Sequence, residues 1–159
     1  MIENNVFQNI GFDTVEDEEL TIIGSSTIIE GDGKSSITCG GNLDIKGRVN
    51  GDVNVGGATV VTGVVDGNIS TVEMVVTSAA KITGNVNCKN SLNVNDGSVL
   101  TGDVKAKTTY VAANVNGNID SASEVKIASE GVVNGNITTG SISVESGAVI
   151  NGNLAIKKN

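Results

Sequence analysis

This chain of 159 residues has no proline, no histidine and no tryptophan, and its aromatics are limited to Phe7, Phe12 and Tyr110. Each absence excludes something. Without histidine, the commonest general base is missing. Without large aromatics, a core must be packed from Val, Ile, Leu, Ala and Thr, residues that suit strands and narrow layered interiors. Without proline, no strand is denied a ladder donor, as befits a chain of central strands. The two cysteines, Cys39 and Cys88, are too few for a disulfide framework. No basic stripe or stacking aromatics offer a surface for nucleic acid. Neither a secretory signal nor a stretch of membrane-spanning length is visible, so the expected location is cytoplasmic.

Charge is unevenly shared. The net charge is −8, yet residues 1–20 hold six acids (Glu3, Asp13, Glu16, Asp17, Glu18, Glu19) and no base. The sequence therefore divides into an acidic flexible tail over 1–19, a repetitive body over 20–156, and a short C-terminal tail over 157–159.

What is abundant is glycine, 21 residues of it, and seven glycines recur in one phrase. A Gly followed by Asn or Asp stands at Gly51, Gly67, Gly84, Gly102, Gly117, Gly135 and Gly152, at spacings of 16, 17, 18, 15, 18 and 17. A period near 17 is too short for helical-pair repeats or propeller blades and fits one coil of a β-solenoid. Alternation around each anchor agrees. Val49, Gly51, Val53 and Val55 share one face, and Arg48, Asn50, Asp52 and Asn54 share the other. The fold expected is all-β: a parallel β-helix (β-solenoid) of seven to eight coils of about 17 residues. At one inter-strand spacing per coil the rod would be on the order of 35–40 Å long.

The anchor glycine needs either positive φ or close approach between coils, and its sevenfold recurrence argues for structure over chemistry. The adjoining Asn/Asp column is expected to form a polar ladder of side-chain amides along the rod. Cys39 and Cys88 fall in inward slots three coils apart, out of disulfide reach, and read as small core fillers. The acids Asp66, Glu73, Asp120, Glu124 and Glu145 are scattered. Left-handed β-helix acyltransferases, which also have short coils, depend on a histidine that this chain lacks. No enzymatic activity, metal or other cofactor is expected.

An open solenoid leaves unpaired backbone groups and an apolar cross-section at each end. No convincing cap follows Leu154-Ala155-Ile156. At the C-terminal end Ile142, Val144, Ile150, Leu154 and Ile156 are the expected polymerisation contacts. At the N-terminal end they are Ile22, Ile23, Ile28 and Ile29.

TIIGSSTIIEGD at 21–32, GGNLDIKGRVNGDV at 40–53 and the recurring V-x-G-[DN]-[VI] resemble the bactofilin family of bacterial polymer-forming proteins. The resemblance spans roughly residues 20–156. It implies a right-handed β-helix with flexible termini that polymerises into non-polar filaments without nucleotide. It also implies a scaffold for cell shape, polarity or wall-enzyme localisation, with cell-envelope or cargo proteins as further partners. One departure is the lack of any aromatic after Tyr110, where bactofilins often carry one in the terminal coil. Many bactofilins touch the inner face of the cytoplasmic membrane through a short N-terminal stretch with a basic residue. Here Ile2, Val6, Phe7, Ile10 and Phe12 could supply a membrane or partner contact, but no Lys or Arg accompanies them. Three roles fit the tail: a flexible regulator of bundling, a weak membrane or partner motif, or a short helix capping the first coil. The rival to a self-assembling scaffold is a non-polymerising solenoid that presents a lateral ligand surface.

Overall fold

The computed structural model describes residues 20–24, 28–30 and 36–157. Alternation of apolar and polar residues makes strands throughout, and no helix occurs among the described residues. Every strand pairing is parallel. The chain winds through three faces per turn, and each face stacks eight rungs. Eight rungs make seven steps, roughly 34 Å from first to last at one strand spacing each.

The first coil is β1 (Leu20–Ile23), β2 (Ile28–Glu30) and β3 (Ser36–Cys39). The second is β4 (Asn42–Ile45), β5 (Arg48–Asn50) and β6 (Asp52–Val55), and the third is β7 (Ala58–Val61), β8 (Val64–Asp66) and β9 (Ile69–Thr71). The fourth is β10 (Glu73–Val76), β11 (Lys81–Thr83) and β12 (Val86–Cys88), followed by β13 (Ser91–Val94) and β14 (Val99–Thr101). From there the strand of the third face runs on into the first face of the next coil, giving the long strands β15 (Val104–Val111), β17 (Ile119–Ile127) and β19 (Ile137–Val144). Between and after them lie β16 (Asn114–Asn116), β18 (Val132–Asn134), β20 (Val149–Asn151) and β21 (Leu154–Ile156).

The uneven spacing of the anchors has a simple cause. The corner from first to second face is either two residues, as at 62–63 and 112–113, or a four-residue turn, as in 77–80, 95–98, 128–131 and 145–148. The corner from third to first face is two residues (56–57, 89–90, 122–123) or one (Val72, Lys107, Gly140). Strand lengths hold while corners absorb the variation, so the register of the core is kept.

The interior is made of columns. The second face contributes Ile29, Val49, Val65, Ile82, Leu100, Val115 and Val133, all buried, and ends at partly buried Ile150. The third face contributes Ile37, Val53, Ile69, Val86, Val104, Ile119 and Ile137. Polar side chains that enter the core find partners there: Thr59 and Thr71 share a hydroxyl–hydroxyl bond of 2.9 Å, and Thr109 and Ser121 one of 2.6 Å. Cys39 and Cys88 are both buried free thiols in the column that also holds Val55, Thr71 and Ala106. Burial pushes the Cys88 thiol up to about 12.

The anchor glycines serve both purposes foreseen for them. Gly67 sits at φ +156°, and a Cβ on it would overlap the carbonyl oxygen of Gly51 in the coil below. Gly102 repeats this at φ +140° against Gly84. The glycine column thus allows backbones of successive coils to touch at one edge.

Candidate functional site

Beside the glycines, each Asn or Asp turns its Oδ1 along the rod. It accepts the backbone N–H of its counterpart one coil on: Asp52 from Asn68, Asn68 from Asn85, Asn85 from Asp103, Asp103 from Asn118, Asn118 from Asn136, and Asn136 from Asn153, at 2.9–3.0 Å. This differs from the amide-to-amide ladder expected of this column. Only an acceptor oxygen is used, which is why Asp and Asn interchange. Amide-to-amide bonding occurs one strand earlier, where Asn134 Nδ2 donates to Asn116 Oδ1 at 2.8 Å and Asn151 Nδ2 to Asn134 Oδ1 at 2.7 Å.

Both ladders stop at the last coil, built from the end of β19, β20 and β21. Each of these strands has a partner on one side, in the coil below, and none on the other among the described residues. The inward positions of this coil are Ile142, Val144, Ile150, Leu154 and Ile156, the five residues expected at the C-terminal end. Ile142 and Ile150 pack partly against the core, and Val144, Leu154 and Ile156 are 46%, 46% and 49% exposed. In the coil beneath, the same columns hold Val125, Ile127, Val133, Ile137 and Thr139, all fully buried. The last coil therefore presents an apolar section ringed by free N–H and C=O groups. Lys157 bonds Asp120, two coils below, at 2.6 Å on the outer face and leaves that section open.

The first coil is different. Ile23, Ile29, Ile37 and Cys39 are all buried. Ile22 is 48% exposed but stands in the outward column in register with Asp44, because neighbouring residues in a strand face opposite ways. Ile28 pairs with Arg48 and Ile29 with Val49. Within β1 the inward positions are thus Thr21 and Ile23, in register with Leu43 and Ile45. The tail residues Ile2, Val6, Phe7, Ile10 and Phe12 lie outside the described residues, as does the whole of 1–19.

Among the described residues nothing comparable gathers on the sides. The third face has a shallow groove of about 470 Å³ lined by Thr38, Asn54, Ser70 and Asn87 together with Cys39, Val55 and Lys89. The acids do not converge: Asp66 and Glu73 are exposed, Asp120 is held by Lys157, and Glu145 accepts the backbone N–H of Ser129 at 3.1 Å. Among the described residues no three His, Cys, Asp or Glu side chains are grouped to hold a metal ion, and no helix is long and apolar enough to cross a membrane.

The family model described as "Bactofilin: Polymer-forming cytoskeletal" matches residues 76–155, half of the chain, from the end of β10 to β21. No curated protein and no solved structure matches the chain. The matched half includes the open last coil as far as Ala155 and five of the seven Gly-Asn/Asp anchors. With its stacked parallel coils and that match, the chain belongs to the bactofilin family of polymer-forming cytoskeletal proteins.

Proposed function

We propose that this chain assembles end to end into filaments without nucleotide. Its last coil is the principal joint. The observation that carries this is the contrast between coils: side chains buried at Val133, Ile137 and Thr139 are followed in the same columns by half-exposed Leu154 and Ile156 beside partly buried Ile150. A surface of this kind is best covered by another copy of itself, which supplies both apolar contact and ladder partners. When two last coils meet about a two-fold axis perpendicular to the rod, their strands run antiparallel across the joint. The first coils provide the opposite joint through the edges of β1, β2 and β3 that have no partner among the described residues, strands that carry half-exposed Ile22, buried Ile23 and Ile29, and Ile28. Alternating joints of these two kinds give a filament without polarity.

Such a filament is a scaffold: its sides repeat the same polar columns every coil and so offer cell-envelope or cargo proteins a periodic surface in the cytoplasm. Organisation of cell shape, polarity or wall enzymes would follow from what docks there. Negative-stain microscopy of the purified protein without nucleotide tests the assembly directly. Filaments many coils long are expected, and monodisperse short particles at high protein concentration would overturn the proposal.

A further inference from the structure

The pair Asn-Gly occurs four times, at Asn50-Gly51, Asn116-Gly117, Asn134-Gly135 and Asn151-Gly152. Such a pair has a chemistry of its own. The glycine amide nitrogen, once deprotonated, attacks the asparagine Cγ. The Cγ–Nδ2 bond breaks, ammonia leaves, and a succinimide ring forms. Water then opens the ring to aspartate or isoaspartate. Glycine favours the attack because it has no Cβ to obstruct the approach. A folded coil opposes it twice: the glycine N–H is engaged in a hydrogen bond, and extended backbone holds the nitrogen away from Cγ until the asparagine ψ rotates.

Three of the four pairs are opposed in this way. Gly51 N–H donates to Asp66 O, Gly117 N–H to Asn134 O and Gly135 N–H to Asn151 O, each at 3.0 Å and each to the next coil. All three glycines are partly buried. The strand that follows each pair is held on both sides: β6 by β3 and β9, the start of β17 by β15 and β19, and the start of β19 by β17 and β21.

Asn151-Gly152 differs on every count. Both residues are exposed, and among the described residues the Gly152 N–H has no acceptor, since no further coil stands above it. β21, which must swing away when the Asn151 ψ rotates, is paired with β19 alone. A strand held on one side opens at lower cost than one held on both. The product also alters the coil. Asn151 Nδ2 donates to Asn134 Oδ1 at 2.7 Å, whereas a carboxylate at 151 has no proton to give and sets oxygen against oxygen. Isoaspartate adds a methylene to the main chain between β20 and β21, which puts β21 out of step with Ile137 and Thr139 beneath it.

We propose that Asn151-Gly152 is a self-modifying site, which deamidates while the last coil is uncovered and is protected when a second copy docks there. The site stands on the single rod; the protection rests on the end-to-end assembly proposed above. Rods left unassembled thereby lose the fit of their last coil, and rods within a filament keep it.

The test incubates the full chain at mildly alkaline pH in three states: dilute single rods verified by sedimentation, pelleted filaments, and chain unfolded in urea. Acid-protease digestion with electron-transfer fragmentation locates each converted asparagine, and isoaspartate methyltransferase counts isoaspartate. In single rods Asn151 should convert at least about fivefold faster than Asn50, Asn116 or Asn134, the factor that one net hydrogen bond is worth. In urea the four pairs should convert at similar rates. In filaments Asn151 should slow to the rate of the other three, and Asn151→Gln should abolish the fast conversion. Equal rates at the four pairs in single rods would overturn the site, as would an Asn151 rate that stays ahead in urea. Conversion of Asn151 as fast in filaments as in single rods would overturn the protection. Absence of filaments at any concentration would overturn the assembly and the protection with it, while the single-rod rates still decide the site.

Discussion

Asn136 Oδ1 accepts a hydrogen bond from the backbone N–H of Asn153, one coil on, at 3.0 Å. Asn153 occupies the same position in the last coil, where among the described residues no further coil offers an N–H to its own Oδ1. This pair marks where an internal ladder becomes an open one. It also yields a clear substitution test. Asn136→Ala removes the acceptor and should cost about 1 kcal/mol, the net value of one such hydrogen bond. Asn136→Asp keeps the oxygen, has Asn118 and Asn153 as ladder neighbours, and should change stability by less than about 0.5 kcal/mol. Urea unfolding of the two variants measures the difference.

The glycine column predicts a steeper response. A Cβ at Gly102 would run into the carbonyl of Gly84, and the backbone there is at φ +140°. Gly102→Ala should therefore destabilise by about 3 kcal/mol or prevent folding, from steric overlap and backbone strain together. Gly40→Ala is the control. Nothing lies within 4 Å of a Cβ added there, so its effect should stay within about 0.5 kcal/mol.

Cys88 predicts a pH effect. Its thiol is pushed from the ordinary 9.0 up to about 12 by burial, so the folded state holds its proton more tightly than the unfolded chain does. The stability this contributes is present in full below pH 9 and is lost as pH rises from there toward 12. Cys88→Ala should flatten that alkaline decline. In the natural protein at pH 8, Cys88 should resist thiol reagents until urea unfolds the chain.

Much of this fold is written in the repeat itself. The inward columns, the constant strand lengths and the role of glycine all follow from period-two alternation around a fixed anchor. The five apolar residues of the last coil were legible because Gly152-Asn153 fixes which neighbours face in. The first coil has no such anchor: Ser36 occupies the register position of Asp52. Without that mark, the consecutive isoleucines at 22–23 read as one apolar group, although a strand turns Ile22 outward and Ile23 inward. The bonding within the Asn/Asp column was also hidden. Sequence shows that these side chains stack, but the choice between amide and backbone as partner depends on the offset between coils.

The most direct measurement is sedimentation velocity of Leu154→Arg beside the natural protein, without nucleotide, with circular dichroism of both. Arginine at this half-exposed position is tolerated in a single rod but would place an unpaired charge in the joint, a cost of several kcal/mol. The expected result is unchanged strand content with filaments replaced by particles no larger than a joined pair. Filaments of natural length from Leu154→Arg would contradict assembly through the last coil.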